Sequence, residues 1–142
     1  MKSLYFCFSL FLAQVVFAQN INHNLVLASV ESEIFKKEFT ICKAENNLIL
    51  FDKTNLVDTI SNFKVCNVQI NVSHDSAYNK VKNISNYDYR ETKDLIILYN
   101  IVKARKYYTV YLWRPYTGAN LEIKFKIRRK KLRLVEYRVS TF

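Results

Sequence analysis

His74 and Asp75 stand side by side at the end of a run in which β-branched apolar residues alternate with polar ones, and histidine beside carboxylate is a pairing that acid–base and metal chemistry use. Adjacent residues of a strand project to opposite faces, so these two cannot by themselves converge on one substrate or one ion. Asp75 reads better as the cap of a short helix whose apolar side is Ala77, Val81 and Ile84. His23, the other histidine, falls near the start of the processed chain. There is no H-E-x-x-H and no G-x-S-x-G, and a chain with a single glycine cannot build a glycine loop around phosphate. Asp52 in FDKTN and Asp88 in NYDYRE could line a pocket. A glycosidase would need two such carboxyls about 5–10 Å apart, and no spacing in the chain identifies the pair. No catalytic residue, metal ligand or cofactor is therefore assigned, and a non-enzymatic role is preferred to a small hydrolase or lyase.

Thiol chemistry depends on the compartment. MKSLYFCFSLFLAQVVFAQN carries Lys2, then an apolar run from Leu4 to Phe17 broken only by Ser9 and Gln14, then Ala18. This is the pattern of a secretory signal peptide over residues 1–18, with cleavage expected after Ala18. A membrane anchor would need about 20 apolar residues, whereas polar Gln19, Asn20, Asn22, His23 and Asn24 follow at once. The expected location is therefore periplasmic or extracellular, with no transmembrane anchor in the mature chain. Removing Cys7 with the signal leaves Cys42 and Cys66, an even number where disulfides persist. They are either bridged or two buried thiols acting as small hydrophobes.

Charge is segregated along the chain. Between Lys103 and Phe142 there are twelve basic and two acidic residues, so this part carries the whole formal net charge of +10. Its focus is the run Arg128, Arg129, Lys130, Lys131. A one-sided cationic surface attracts anions through a field larger than its pairwise contacts. For an exported protein the available anions are acidic proteins, polysaccharides and anionic lipid headgroups; nucleic acid is not expected.

The elements that must position these residues follow from periodicity. Leu27, Val30, Ile34 and Phe35 recur at helical spacing and predict one amphipathic helix from Asn24 to about Glu38. Residues 39–42 either continue it or begin a strand, and Leu48–Phe51 reads as a strand. Over residues 62–74 Cys66, Val68, Ile70 and Val72 alternate with Asn67, Gln69, Asn71 and Ser73, predicting one half-buried strand. Residues 86–93 read as a loop. Four strands follow at 95–101, 107–114, 120–128 and 132–140, with linkers short enough for an antiparallel meander. The predicted mature chain, 19–142, is thus a single α+β domain: an N-terminal helix packed on a curved antiparallel sheet that ends in a four-strand meander. This order of elements resembles the helix-on-sheet rolls of cystatin-like and nuclear-transport-factor-like domains, a likeness of fold that carries no function.

The only proline and the only glycine, Pro115 and Gly118, fall between the second and third strands of the meander. Pro115 pre-sets a turn and Gly118 supplies the positive φ that closes it. On the strands flanking the turn, Tyr108, Val110 and Leu112 match Leu121, Ile123, Phe125 and Ile127 as an apolar face. The opposite face interleaves Tyr107, Tyr111 and Trp113 with Lys124, Lys126 and Arg128. Together with Arg114 and Arg129, these residues form the expected binding surface of a small exported interaction module for an acidic partner. A solvated sheet face, and a structural envelope component, are the alternatives.

Overall fold

The computed structural model describes residues 21–58, 62–75, 92–129 and 131–141. The expected signal peptide, the helix after Asp75, Asp88 and most of the 86–93 loop lie outside these residues. Within them the fold is α+β: helices packed on one face of a seven-stranded sheet that curls into a half-barrel.

The helical segment differs from the single helix expected. Residues 21–30 form α1, the chain breaks at Glu31–Ser32, and α2 spans Glu33–Glu38. The cause is local hydrogen bonding by serine. Ser32, with extended ψ of 143°, accepts the Phe35 amide on its side chain and so starts a new helix. Its hydroxyl also donates to the Ser29 carbonyl at 2.6 Å. A cap of this kind stabilises a helix by about 1 kcal/mol. The break leaves Leu25, Val26, Val30, Phe35 and Phe39 all buried, so two short helices cover the sheet where one straight helix would diverge from its curvature. After Thr40, in the left-handed region, Ile41–Lys43 make one 3-10 turn rather than a strand.

The strands are β1 (Leu48–Asp52), β2 (Asn62–Val65), β3 (Val68–Ser73), β4 (Leu95–Ala104), β5 (Tyr107–Arg114), β6 (Ala119–Arg128) and β7 (Lys131–Thr141). Their spatial order is β2-β3-β1-β4-β5-β6-β7. The last four form the expected antiparallel meander. The first half corrects the sequence reading twice. The single strand expected at 62–74 is a hairpin, turned by Cys66 and Asn67 at φ 51° and 67°. The sheet is also mixed, because β1 inserts between β3 and β4 and runs parallel to both.

The core lies between the helices and the inner face of the sheet. Leu48 and Leu50 of β1, Ile70 and Val72 of β3, Ile96 and Leu98 of β4, and Val110, Leu112, Leu121, Ile123 and Phe125 of the meander pack there with Leu25, Phe35 and Phe39. Full burial of each large apolar side chain contributes about 1.5–3 kcal/mol. On the opposite face a smaller cluster joins Phe51, Leu95 and Ile97, with Ile49 and Trp113 packed against it.

Cys42, in the 3-10 turn, and Cys66, at the β2–β3 turn, are bonded, with their Cα atoms 5.0 Å apart. Both residues are exposed, so neither is a buried thiol. The bridge ties the helical segment to the edge hairpin across a separation of 24 residues. Loop closure of this length stabilises by about 3 kcal/mol in the chain-entropy account. Such a bond suits an oxidising compartment. Among the described residues no helix is long and apolar enough to cross a membrane.

Candidate binding surface

Alternation along β5 and β6 builds the surface. Across the ladder Tyr107 faces Lys126, Thr109 faces Lys124, Tyr111 faces Glu122 and Trp113 faces Asn120. These pairs share the outer face, because their neighbours Tyr108, Val110, Leu112, Leu121, Ile123 and Phe125 point to the core. β7 continues the outer face, with Arg133 beside Lys126, Glu136 beside Lys124 and Arg138 beside Glu122.

At one end of this face three ammonium groups surround one ring. The Nζ atoms of Lys124, Lys126 and Lys106 lie 5.4, 5.7 and 6.0 Å from the centroid of Tyr107. Each contact of this type contributes roughly 0.5–1 kcal/mol when exposed. Lys124 also pairs with Glu136, Nζ to Oε2 at 3.4 Å, and Arg138 bonds the other oxygen of the same carboxylate at 3.3 Å. The hydrogen bond from Lys124, its charge, and then Arg138 hold the Glu136 carboxyl below its usual range.

The next positions along the same two strands are not neutralised. Lys126 stands directly opposite Arg133, and Arg128 directly opposite Lys131. Like charges facing each other across a ladder destabilise a sheet. Among the described residues none of these four is in an ion pair. Arg129 closes the β6–β7 turn at φ 50°, and Arg105 takes φ 57° in the β4–β5 turn. Both are left-handed positions where glycine is favoured and where another residue costs about 1–2 kcal/mol. Two positions suited to glycine thus carry guanidinium groups that add to the same positive end.

The expected site residues divide into three groups. Tyr107, Lys124, Lys126, Arg128 and Arg129 come together at this cationic end. Tyr111 packs instead on Tyr99, ring centroids 5.7 Å apart, and Trp113 belongs to the apolar cluster of Phe51, Leu95 and Ile97. Desolvation raises the Tyr99 phenol above its usual pKa, with Tyr111 and Glu122 adding to the shift. Arg114 is on the wrong side for the surface expected of it. One position after Trp113, it alternates to the inner face and is 2% exposed. There Nη1 donates to Thr40 Oγ1 at 3.2 Å and Nη2 to the Lys93 carbonyl at 3.0 Å, with the guanidinium over the Tyr116 ring. Desolvation lowers its pKa, opposed by Tyr116 and Asp94. It fastens the Pro115–Gly118 turn to the helical segment; the turn itself forms as expected, with Gly118 at φ 69°. Sequence reasoning also missed Arg133 and Arg138, whose place on the outer face follows only from the β6–β7 register.

A second cluster lies at the C-terminal ends of the parallel strands. His74 and Asp52, far apart in sequence, approach with Nε2 3.4 Å from Oδ2, and the carboxylate is fully buried. Oδ1 accepts the Thr54 amide at 2.8 Å and the Thr54 hydroxyl, and Oδ2 accepts the Val57 amide at 2.9 Å. The carboxylate is thereby committed to the loop that leaves β1. His74 Nε2 makes no hydrogen bond among the described residues.

Comparison of the chain with family models, with curated proteins and with solved structures gives no match. The functional reading therefore rests on the surface itself.

Proposed function

We propose that this chain is a small exported, non-enzymatic binding module that presents the cationic, aromatic end of its β5–β7 face to an acidic partner. The observation that carries this reading is the pair of opposed like charges, Lys126 against Arg133 and Arg128 against Lys131, beside a tyrosine already ringed by three lysines. A sheet face evolved only for solubility would intersperse signs, as the same strands do at Lys124–Glu136 and Glu122–Arg138. Uncompensated charge that lowers stability is what a surface for anions requires. Aromatic and arginine side chains are also the ones that dominate interface energetics.

The enzymatic alternative has the Asp52–His74 approach in its favour. Against it stands the commitment of that carboxylate to three loop donors, and the filling of the space between helix and sheet by Phe35, with Leu27 and Ile34 packed against the core.

The test uses immobilised heparin and polyglutamate as acidic probes. Changing Lys124, Lys126, Arg128 and Arg129 together to serine abolishes salt-sensitive binding and does not lower the melting temperature. Changing Lys37, Lys43, Lys53 and Lys64 to serine removes the same charge from exposed positions elsewhere and leaves binding largely intact. Equal loss in the two variants would reduce the effect to net charge and sink the proposal.

A further inference from the structure

β7 is the last strand of the sheet, and its outer edge pairs with no other described strand. It is 11 residues long. About half of the backbone N–H and C=O groups of such an edge point away from the sheet and offer a template for one more strand.

Register sorts its side chains into two rows. Leu132, Leu134, Tyr137 and Val139 stand opposite Ile127, Phe125, Ile123 and Leu121 and continue the inner, apolar face. Arg133, Glu136 and Arg138 continue the outer, charged face, and Val135 is the extra residue of a bulge. Leu132 packs against the core, but the rest of the apolar row is exposed, Leu134 at 45%, Tyr137 at 51% and Val139 at 37%, as is Val135 in the bulge at 50%, while Leu121, Ile123 and Phe125 across the ladder are buried.

Charge decides among occupants. A second copy would bring together two molecules of net charge +10, and joined antiparallel through β7 in the register that opposes Arg133 of one copy to Arg138 of the other it would set like charges face to face. A polysaccharide or a lipid headgroup meets the cations but leaves the backbone edge and the apolar row unmatched. An extended polypeptide whose side chains alternate apolar and acidic meets all three. Its backbone pairs with the edge, one row of side chains lies beside Leu134, Tyr137 and Val139, and the other lies along Arg133 and Arg138, with Glu136 between them already paired to Lys124 and Arg138.

We propose that β7 is a strand-addition site for an extended acidic–apolar segment of another protein. This rests on the reading of the outer face as an anion-binding surface and narrows it to one class of partner and one mode of docking.

The experiment titrates the intact protein by calorimetry with a capped peptide of about eight residues, the length of an ordinary strand, alternating valine and glutamate. The comparison ligands are two analogues N-methylated on one or the other alternate set of residues, a block peptide of the same composition, and polyglutamate. The alternating peptide should bind at least about tenfold more tightly than the block peptide and than one of the two methylated analogues. Changing Tyr137 and Val139 to threonine, a strand former at exposed positions, should weaken it by about tenfold at unchanged melting temperature. If all peptides bind alike and polyglutamate binds too, strand addition is overturned and the anion-binding surface stands. If neither polyglutamate nor any peptide binds, both readings fall. A concentration-dependent dimer lost on Tyr137→Thr would assign the edge to a second copy and overturn the proposal.

Discussion

The carboxylate of Asp52 lies fully buried with His74 Nε2 only 3.4 Å away, yet every hydrogen bond it makes among the described residues is to the Thr54 and Val57 end of its own loop. The pair has the composition of a catalytic dyad and the wiring of a loop anchor. Asp52→Asn presents an amide group to donors that need an acceptor and should cost about 2 kcal/mol in urea unfolding. His74→Gln should cost less than about 0.5 kcal/mol, as a partly exposed side chain with no hydrogen bond at Nε2 among the described residues. Comparable losses in the two variants would show that the pair stabilises as an ion pair.

The Cys42–Cys66 bond predicts a large and purely structural effect. The double serine variant should lose about 3 kcal/mol, and wild-type protein unfolded in reductant should match it. A loss below about 1 kcal/mol would show that the edge hairpin holds its place without the bridge.

Arg114 is a tie between the meander turn and the helical segment, not a ligand residue. Arg114→Lys keeps the charge but cannot reach both Thr40 and Lys93 with a planar fork, and should lower stability by about 1–2 kcal/mol. Affinity for polyglutamate should not change. A change in affinity at constant stability would return Arg114 to the binding surface.

At Arg129 stability and binding should move in opposite directions. Arg129→Gly relieves a left-handed arginine, about 1–2 kcal/mol, at an entropic cost of roughly 0.5–1 kcal/mol for glycine, and should raise stability by about 0.5–1 kcal/mol net. The same change should shift elution from heparin to lower salt. Loss on both counts would mean that the arginine is needed for the turn itself.

The local field can be read through Glu136. Its folded pKa is depressed, so its pairing is intact above the ordinary glutamate range and is lost as pH falls through the folded value. A carbon-detected titration of the side chain should place its midpoint below that of a free glutamate. Lys124→Ser should bring it back up, because the bond from Lys124 is the largest cause of the shift. An unmoved midpoint would assign the effect to Arg138.

The meander and its two faces could be read from period 2 alone, since β5 alternates from Thr109 to Arg114 and β6 from Ala119 to Lys126. The same rule misplaced Arg114 only because charge was given more weight than parity. Elsewhere the signals were faint. The β2–β3 hairpin turns on Cys66 and Asn67 where a glycine would have announced it, and its two-residue turn joins two strands that each alternate. Serines 29 and 32 break the helix through side-chain bonds that hydrophobic spacing does not register. The insertion of β1 between β3 and β4 is a long-range choice with no local trace, and it alone brings Asp52 to His74.

Successive residues of β5 and β6 answer to different demands, one set holding the core and the next meeting the solvent. Substitutions at Lys124, Lys126 or Tyr107 can therefore accumulate without disturbing Val110, Leu121 or Ile123. Over evolutionary time such a sheet can exchange one partner for another by repainting a single side, while the fold beneath it is inherited unchanged.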